Sequence, residues 1–182
     1  MKRLDNKVAI VTGASKGIGA GIANAFAGEG AAVVVNYARD HKGAERVVRQ
    51  ITDKGGRAIA VQGDVAQRPD AQRVVLESKK AFGRLDVLVN NAGVFSFAPF
   101  EQFSEQEFHR QFNTNVLGMF LMIEAALPAF AAEGGSIINI GSTASVTANP
   151  QPDPFDLRGV KERCQWLDAR ALKRVRPQKN PR

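Results

Sequence analysis

Residues 8–19 constrain the fold more than any other stretch of this chain. Val8-Ala9-Ile10-Val11 is an apolar, largely β-branched run without a charge, and it stops in Thr12-Gly13-Ala14-Ser15-Lys16-Gly17-Ile18-Gly19. Such a run suits a parallel strand covered on both faces. The small and apolar residues from Gly17 to Phe26 suit a helix packed close to a sheet. Glycines at 13, 17 and 19 permit positive φ and let the backbone approach a bulky anion, while the helix N-terminus directs free N–H groups and a positive dipole end at it. The stretch therefore reads as a dinucleotide site. Its spacing, G-x-x-x-G-x-G, is one residue longer than the common G-x-G-x-x-G fingerprint, and an ordinary strand-to-helix turn is the competing reading of the loop alone.

The remainder of the chain repeats the strand-helix pattern. Ala31 to Asn36 reads as a second strand, His41 to about Asp53 as a helix with Val47, Val48 and Ile51 on one stripe, and Gly55-Gly56 as its end. Ala58 to Val61 gives a third strand and Pro69 to Phe82 a helix, with the proline suited to its first turn. A fourth strand, Leu85 to Val89, is followed by a long helix that begins after Ser104 and runs towards Ala132, with Pro128 expected to kink it. Ser136 to Ile140 is the fifth strand. Alternating strands and helices joined by short connections imply an α/β fold, a Rossmann-like doubly wound parallel sheet with helices on both faces.

In such a sheet ligands gather at the carboxyl ends of the strands, near the switch in strand order. Those ends carry Asn36-Tyr37-Ala38-Arg39, Gly63-Asp64-Val65, Asn90-Asn91-Ala92-Gly93 and Gly141-Ser142. Taken singly, each is a common loop residue type; four strand ends together point to a site.

Composition narrows the classes. The chain has 182 residues, 44% of them hydrophobic, enough for one domain with a sizeable core. Residues 155–182 hold nine Lys/Arg and three Asp/Glu, so most of the net charge of +7 lies there and the rest is nearly neutral. A basic tail can bind nucleic acid, but no aromatic interleaving or recognition module accompanies it, and no nucleic-acid partner is expected. Cys164 is the only cysteine, and no Cys/His cluster suggests a metal. Met1-Lys2-Arg3 lacks the apolar core and cleavage site of a signal peptide, so a cytoplasmic start is expected. Val116 to Ile123, bracketed by Asn115 and Glu124, reads as a buried helix rather than a membrane span.

Across residues 5–154 the chain resembles the short-chain dehydrogenase/reductase family. The likeness is carried by Thr12-Gly13-x3-Gly17-Ile18-Gly19, Asp64-Val65, Asn90-Asn91-Ala92-Gly93, Asn115 within Asn113-Thr114-Asn115-Val116-x-Gly118, and Ile138-Asn139-Ile140-Gly141-Ser142. It implies an oxidoreductase that moves a hydride between NAD(P)(H) and the carbonyl or alcohol carbon of a small molecule. It further implies that Gly13, Ser15, Gly17, Ile18 and Gly19 line the pyrophosphate and adenosine ribose. Asp64 and Val65 would face adenine, and Asn91, Ala92 and Gly93 would border the ribose and cofactor channel. Ser142 would bond the substrate oxygen, and Asn115 would hold a water in a proton relay; a helix-interior amide bonded to backbone is the alternative for Asn115. Cofactor choice follows from charge. An NAD site places a carboxylate at the end of strand two; here that position is Asn36, and Arg39 with Lys16 would attract a 2′-phosphate. NADP(H) is therefore expected.

The pattern breaks after residue 154. The family places a Tyr-x-x-x-Lys motif about a dozen residues beyond the serine, its phenol pKa lowered by the ammonium. This chain's single tyrosine is Tyr37. From Phe155 the helical stripe is lost, and codons can be chosen for residues 155–182 that, read one base later, yield a family-like segment with the tyrosine over Leu157 and the lysine at Lys161. The expectation is a nucleotide-binding domain at 1–154 and an aberrant, poorly ordered basic tail at 155–182, without the family's last strands. Lys161 would reach the nicotinamide ribose without a phenol to tune. The family's paired-subunit assembly would lose one of its two helices.

Overall fold

In the computed structural model, residues 2–96, 99–131 and 133–141 are described; Ser142, Lys161 and the expected boundary at 154 lie outside them. Five strands form one parallel sheet in the order β3-β2-β1-β4-β5: β1 (Val8–Val11), β2 (Ala32–Tyr37), β3 (Arg57–Gln62), β4 (Val87–Asn90) and β5 (Ser136–Asn139). Ile10 lies opposite Val34 on one side and Leu88 on the other. Order reverses between β1 and β4, so the carboxyl ends of these two strands flank the switch point.

The two-residue period of the strands decides which helix each side chain meets. Ala9, Val11, Val33, Val35, Val87 and Val89 share one face with Ala23 and Ala27 of α1 (Gly17–Gly28) and Val47 and Ile51 of α2 (His41–Thr52). Ile10, Val34 and Leu88 face the other way, onto Val74 of α3 (Arg68–Phe82) and, in the helix that follows β4, Leu121, Met122 and Ala126. Every residue of β1, β2 and β4 is buried, as an apolar run without alternation requires.

The helix after Ser104 differs from expectation in detail. Ser104 caps α4 (Glu105–Phe112), its Oγ accepting from the Glu107 N–H at 3.3 Å. Asn113–Leu117 then form a π-helical turn before α5 (Gly118–Ala126), and the stretch ends in a 3₁₀ turn, Leu127–Ala129. Pro128 thus sits in a terminating turn rather than at a kink, because Phe130 is already extended and bridges Leu85. Glu105–Ala129 is long and apolar enough by composition to cross a membrane, although the run at 116–123 alone is too short. Met119, Leu121, Met122 and Ala126 are buried, the last three in the core beneath the sheet.

At the opposite end of the sheet from the glycine loop, Asp86 is buried and accepts from the Val8 N–H at 3.0 Å, from Arg84 Nε at 2.8 Å and from Lys7 Nζ at 3.3 Å. Burial raises its pKa, but the Arg84 hydrogen bond, the Val8 amide and the Lys7 ammonium together hold it below the ordinary carboxylate value.

Candidate active site

The loop after β1 is held from both neighbouring strands. Thr12 is buried; its Oγ1 donates to Val89 O at 3.2 Å and accepts from the N–H groups of Asn91 at 2.9 Å and Ala92 at 3.0 Å. Asn91 Nδ2 donates to the carbonyls of Thr12 at 2.9 Å and Gly13 at 3.1 Å. From the other side, Asn36 Oδ1 accepts from Gly13 N–H at 3.3 Å, and its main-chain oxygen accepts from Ala14 N–H at 2.8 Å. Thr12, directly before the first glycine, is the hub of the loop, a structural role outside the set of expected cofactor contacts.

The glycines divide the work. Gly13 and Gly17 have φ of +61° and +59°, where a side chain is strained. Gly13 also lies against Ala92, whose Cα would stand 2.8 Å from an added Cβ. Gly19 does not have positive φ; its lack of a side chain admits the Asn91 amide, and an added Cβ would meet Gly13 O at 2.7 Å. Ser15 is buried, whereas Lys16, Gly17 and Ile18 are exposed, with Ile18 at 69%. No side chain caps α1, and the amides of Gly17, Ile18 and Gly19 have no acceptor among the described residues. Those amides carry the positive end of the helix dipole.

Asn36 corrects the expectation placed on it. It is 1% exposed, and besides Gly13 it serves the carbonyls of Val61 at 3.3 Å and Gly63 at 3.0 Å through Nδ2. Its side chain is spent inside the protein, so it cannot meet a ribose. Ala38 and Arg39 are the exposed residues beyond β2. Neither Arg39 nor Lys16 forms an ion pair among the described residues. The nearest carboxylate in sequence, Asp40, is turned to the N-cap of α2, accepting from Gly43 N–H at 2.9 Å; aspartate directly before a helix is a preferred cap residue.

The other strand ends are mixed. Asp64 is exposed, its Oδ1 bonded to Ala66 N–H at 3.0 Å and its own N–H to Asp70 Oδ2 at 2.8 Å. The Asp70 carboxyl is held below its ordinary pKa by Arg73 first and then by that amide. Val65 is buried in the core, against the Cα of Gly118, so its side chain does not face outward. Gly93 is exposed, and buried Asn90 donates to Asn139 Oδ1 at 2.9 Å, tying β4 to β5 beside Gly141. Asn115 lies in the π-helical turn, 6% exposed, with Oδ1 accepting from Val94 N–H and Nδ2 donating to Val94 O, both at 2.8 Å. This is the backbone-bonded amide named as the alternative, and each end keeps one further hydrogen-bonding position. His109 is exposed beside Glu105, at 3.4 Å. After Asn90-Asn91-Ala92-Gly93 the chain carries phenylalanines at 95, 97, 100 and 103; Phe95 and Phe103 are exposed at 65% and 57%, while Phe97 and the side chain of Phe100 lie outside the described residues.

A helix N-terminus with donor amides, a glycine loop fixed from two strands and open space at Gly17 make a cradle that fits a dinucleotide diphosphate. Comparisons with known proteins agree on what the chain is similar to. An uncharacterized oxidoreductase of Methylorubrum extorquens is 54% identical over 150 residues, covering 82% of this chain and 60% of that protein. Versicolorin reductase 1 of Aspergillus parasiticus is 42% identical over 149 residues, covering 82% and 57%. Among solved structures, a short chain dehydrogenase from Burkholderia cenocepacia in complex with NADP superposes with a TM-score of 0.77 at 37% identity, covering 81% of this chain and 60% of that one. A short-chain dehydrogenase/reductase from Serratia marcescens gives 0.83 at 36%, covering 90% and 66%. The chain thus spans about 60% of the length of the curated relatives it matches. Since residues 7–154 match the short chain dehydrogenase family as a whole, and the sheet order and glycine loop agree, the chain belongs to that family.

Proposed function

We propose that this chain binds NADP(H) at the carboxyl edge of β1, β2 and β4, and that its reaction class is hydride exchange between the nicotinamide and the carbonyl or alcohol carbon of a small molecule. The observation that carries this reading is the set of amides at Gly17, Ile18 and Gly19 without an acceptor among the described residues, behind a loop whose Thr12, Gly13 and Ala14 amides are already paired. When bound, the nicotinamide supplies or takes the hydride. The chain's own part is to hold the diphosphate on those amides and to present Arg39 and Lys16 to a 2′-phosphate, with the Asp40 carboxylate turned away into its cap. The NADP in the Burkholderia cenocepacia relative supports this choice. Asp64 contributes from the end of β3, and Asn91, Ala92 and Gly93 from the end of β4. Asn115 holds the Val94 backbone beneath the channel and retains capacity for a water.

Ser142 takes the substrate-oxygen position by family likeness; Lys161 lies beyond the matched residues 7–154, and its part is limited to an ammonium offered to the nicotinamide ribose. The proton is the weak step. Tyr37, the chain's one tyrosine, is buried at the end of β2 with its ring 5.5 Å from that of His41. Leucine at 157 cannot transfer a proton, and losing a positioned acid typically forfeits about 10²–10⁴-fold in rate. We therefore read residues 1–154 as a nucleotide-binding unit and 155–182 as a separate basic tail, with binding retained and turnover impaired. The absent tyrosine equally favours a second reading, a non-catalytic NADP(H)-binding protein. Fluorescence titration with NADPH tests the binding, and NADPH oxidation across a ketone panel tests the turnover. Absence of any fluorescence change sinks the first; rates ordinary for the family sink the claim of impairment.

A further inference from the structure

The amide of Gly13 stands in the glycine loop but does not point at a ligand. Its N–H is taken by Asn36 Oδ1 at 3.3 Å, its carbonyl by Asn91 Nδ2 at 3.1 Å, and the next N–H, of Ala14, by Asn36 O at 2.8 Å. The Thr12 N–H is bonded to Val89 O at 3.0 Å. Three successive loop amides are thus satisfied inside the protein, and the first-turn amides of α1 are not. The orientation of Asn36 is fixed by chemistry: the Gly13 N–H needs an acceptor and the Val61 and Gly63 carbonyls need a donor, so only one setting of the amide serves all three.

We infer that Asn36 is a positioning residue for the nucleotide site: by tying the Gly13 amide to the end of β3 through its side chain, beside its main-chain bond to the Ala14 amide, it holds the loop in the shape that aims the α1 amides at the diphosphate. This deepens the NADP(H)-binding reading and rests on it. Two consequences distinguish the idea. Asn36 acts on the part common to NADPH and NADH, so it does not set the choice between them. A carboxylate at 36 would accept from Gly13 but set a negative charge against two carbonyl oxygens, so aspartate disturbs the loop instead of recruiting a ribose 2′-OH.

The test is fluorescence titration of the full chain and its Asn36→Asp and Asn36→Ala variants with NADPH and with NADH, beside thermal unfolding of each. Expected is a loss of roughly ten-fold or more in affinity for both nucleotides, at an unchanged ratio between them and at temperatures where the variants are folded. A swing of Asn36→Asp towards NADH overturns the inference, as does a lowered Tm with unchanged affinities. Should either variant fail to fold, amide hydrogen exchange on the unsubstituted chain decides: Gly13 and Ala14 protected alike with and without NADPH, and Ile18 and Gly19 protected only with it. Gly13 protection that appears only on adding NADPH overturns the inference. If the unsubstituted chain binds neither nucleotide, the NADP(H)-binding reading itself falls and takes the inference with it.

Discussion

Asn91 bonds Thr12 twice, its main-chain N–H to Thr12 Oγ1 and its side-chain Nδ2 to Thr12 O, both at 2.9 Å across 79 residues of sequence. Each partner sits at the carboxyl end of its strand, so this pair locks β4 to β1 where strand order reverses. Replacing Thr12 with valine keeps the shape but removes the hydroxyl that joins Val89 O to the N–H groups of Asn91 and Ala92. A loss of about 2–4 kcal/mol is expected, since three hydrogen bonds go and each is worth about 0.5–1.5 kcal/mol. Thr12→Ser keeps the hydroxyl and is expected to lose about 1 kcal/mol, for the missing methyl group. Urea midpoints of the two variants give the comparison.

Gly19 and Gly21 lie two residues apart in α1 and should answer oppositely to alanine. A Cβ at Gly19 collides with the Asn91 amide and with Gly13 O, whereas one at Gly21 meets nothing within 4 Å. Gly19→Ala is expected to weaken NADPH binding by roughly ten-fold or more, the equivalent of one lost charge-assisted hydrogen bond. Gly21→Ala is expected to leave binding unchanged and add about 0.5–1 kcal/mol of stability, as for other exposed helical glycines. NADPH titration and thermal melts of both proteins settle the pair.

Arg39 is exposed and forms no ion pair among the described residues. If it meets the 2′-phosphate, Arg39→Ala lowers NADPH affinity by roughly ten-fold, in line with loss of a hydrogen bond to a charged group, and leaves NADH affinity unaltered. Equal losses for both nucleotides would remove the guanidinium from any role in selection.

Asp86 should make stability depend on acid. Its folded pKa is depressed, because Arg84, the Val8 amide and Lys7 outweigh the burial that raises it. A carboxyl of this kind stabilises the fold fully above its unfolded pKa, about 3.9, and the contribution disappears as pH falls through the lower folded value. The urea midpoint is therefore expected to drop as pH is taken from about 5 to below 3. Asp86→Asn should be about 2 kcal/mol less stable at neutral pH and show a flatter acid response; an unchanged slope would assign the effect to other carboxylates.

Much of the architecture was legible locally because it is encoded locally. The uncharged run at Val8–Val11 is apolar on both sides because the strand is buried on both faces, and the glycine pair after α2 lies just past its end, with Gly55 at positive φ in the turn that follows Asp53. Ser104 before Glu105 announced α4 through its side-chain cap. The unread details depend on distant neighbours. The π-helical turn at Asn113–Leu117 goes with Asn115 bonding both polar groups of Val94 and with Gly118 lying against Val65, contacts that no spacing along 113–118 encodes.

Asn36 shows the same division at the site. Its place at the end of the second strand was readable, and so was the absence of a carboxylate there. That its amide is buried and turned to Gly13, Val61 and Gly63 was fixed only when β1, β2 and β3 came side by side. The strands, the helices and the glycine spacing are encoded along the chain, because these follow from backbone sterics and from burial with a fixed period. Tertiary structure decided which polar side chains hold the loop and which backbone amides remain for a ligand. A hydrogen bond is set by the approach of two segments to about 3 Å, and that approach exists only in the packed sheet.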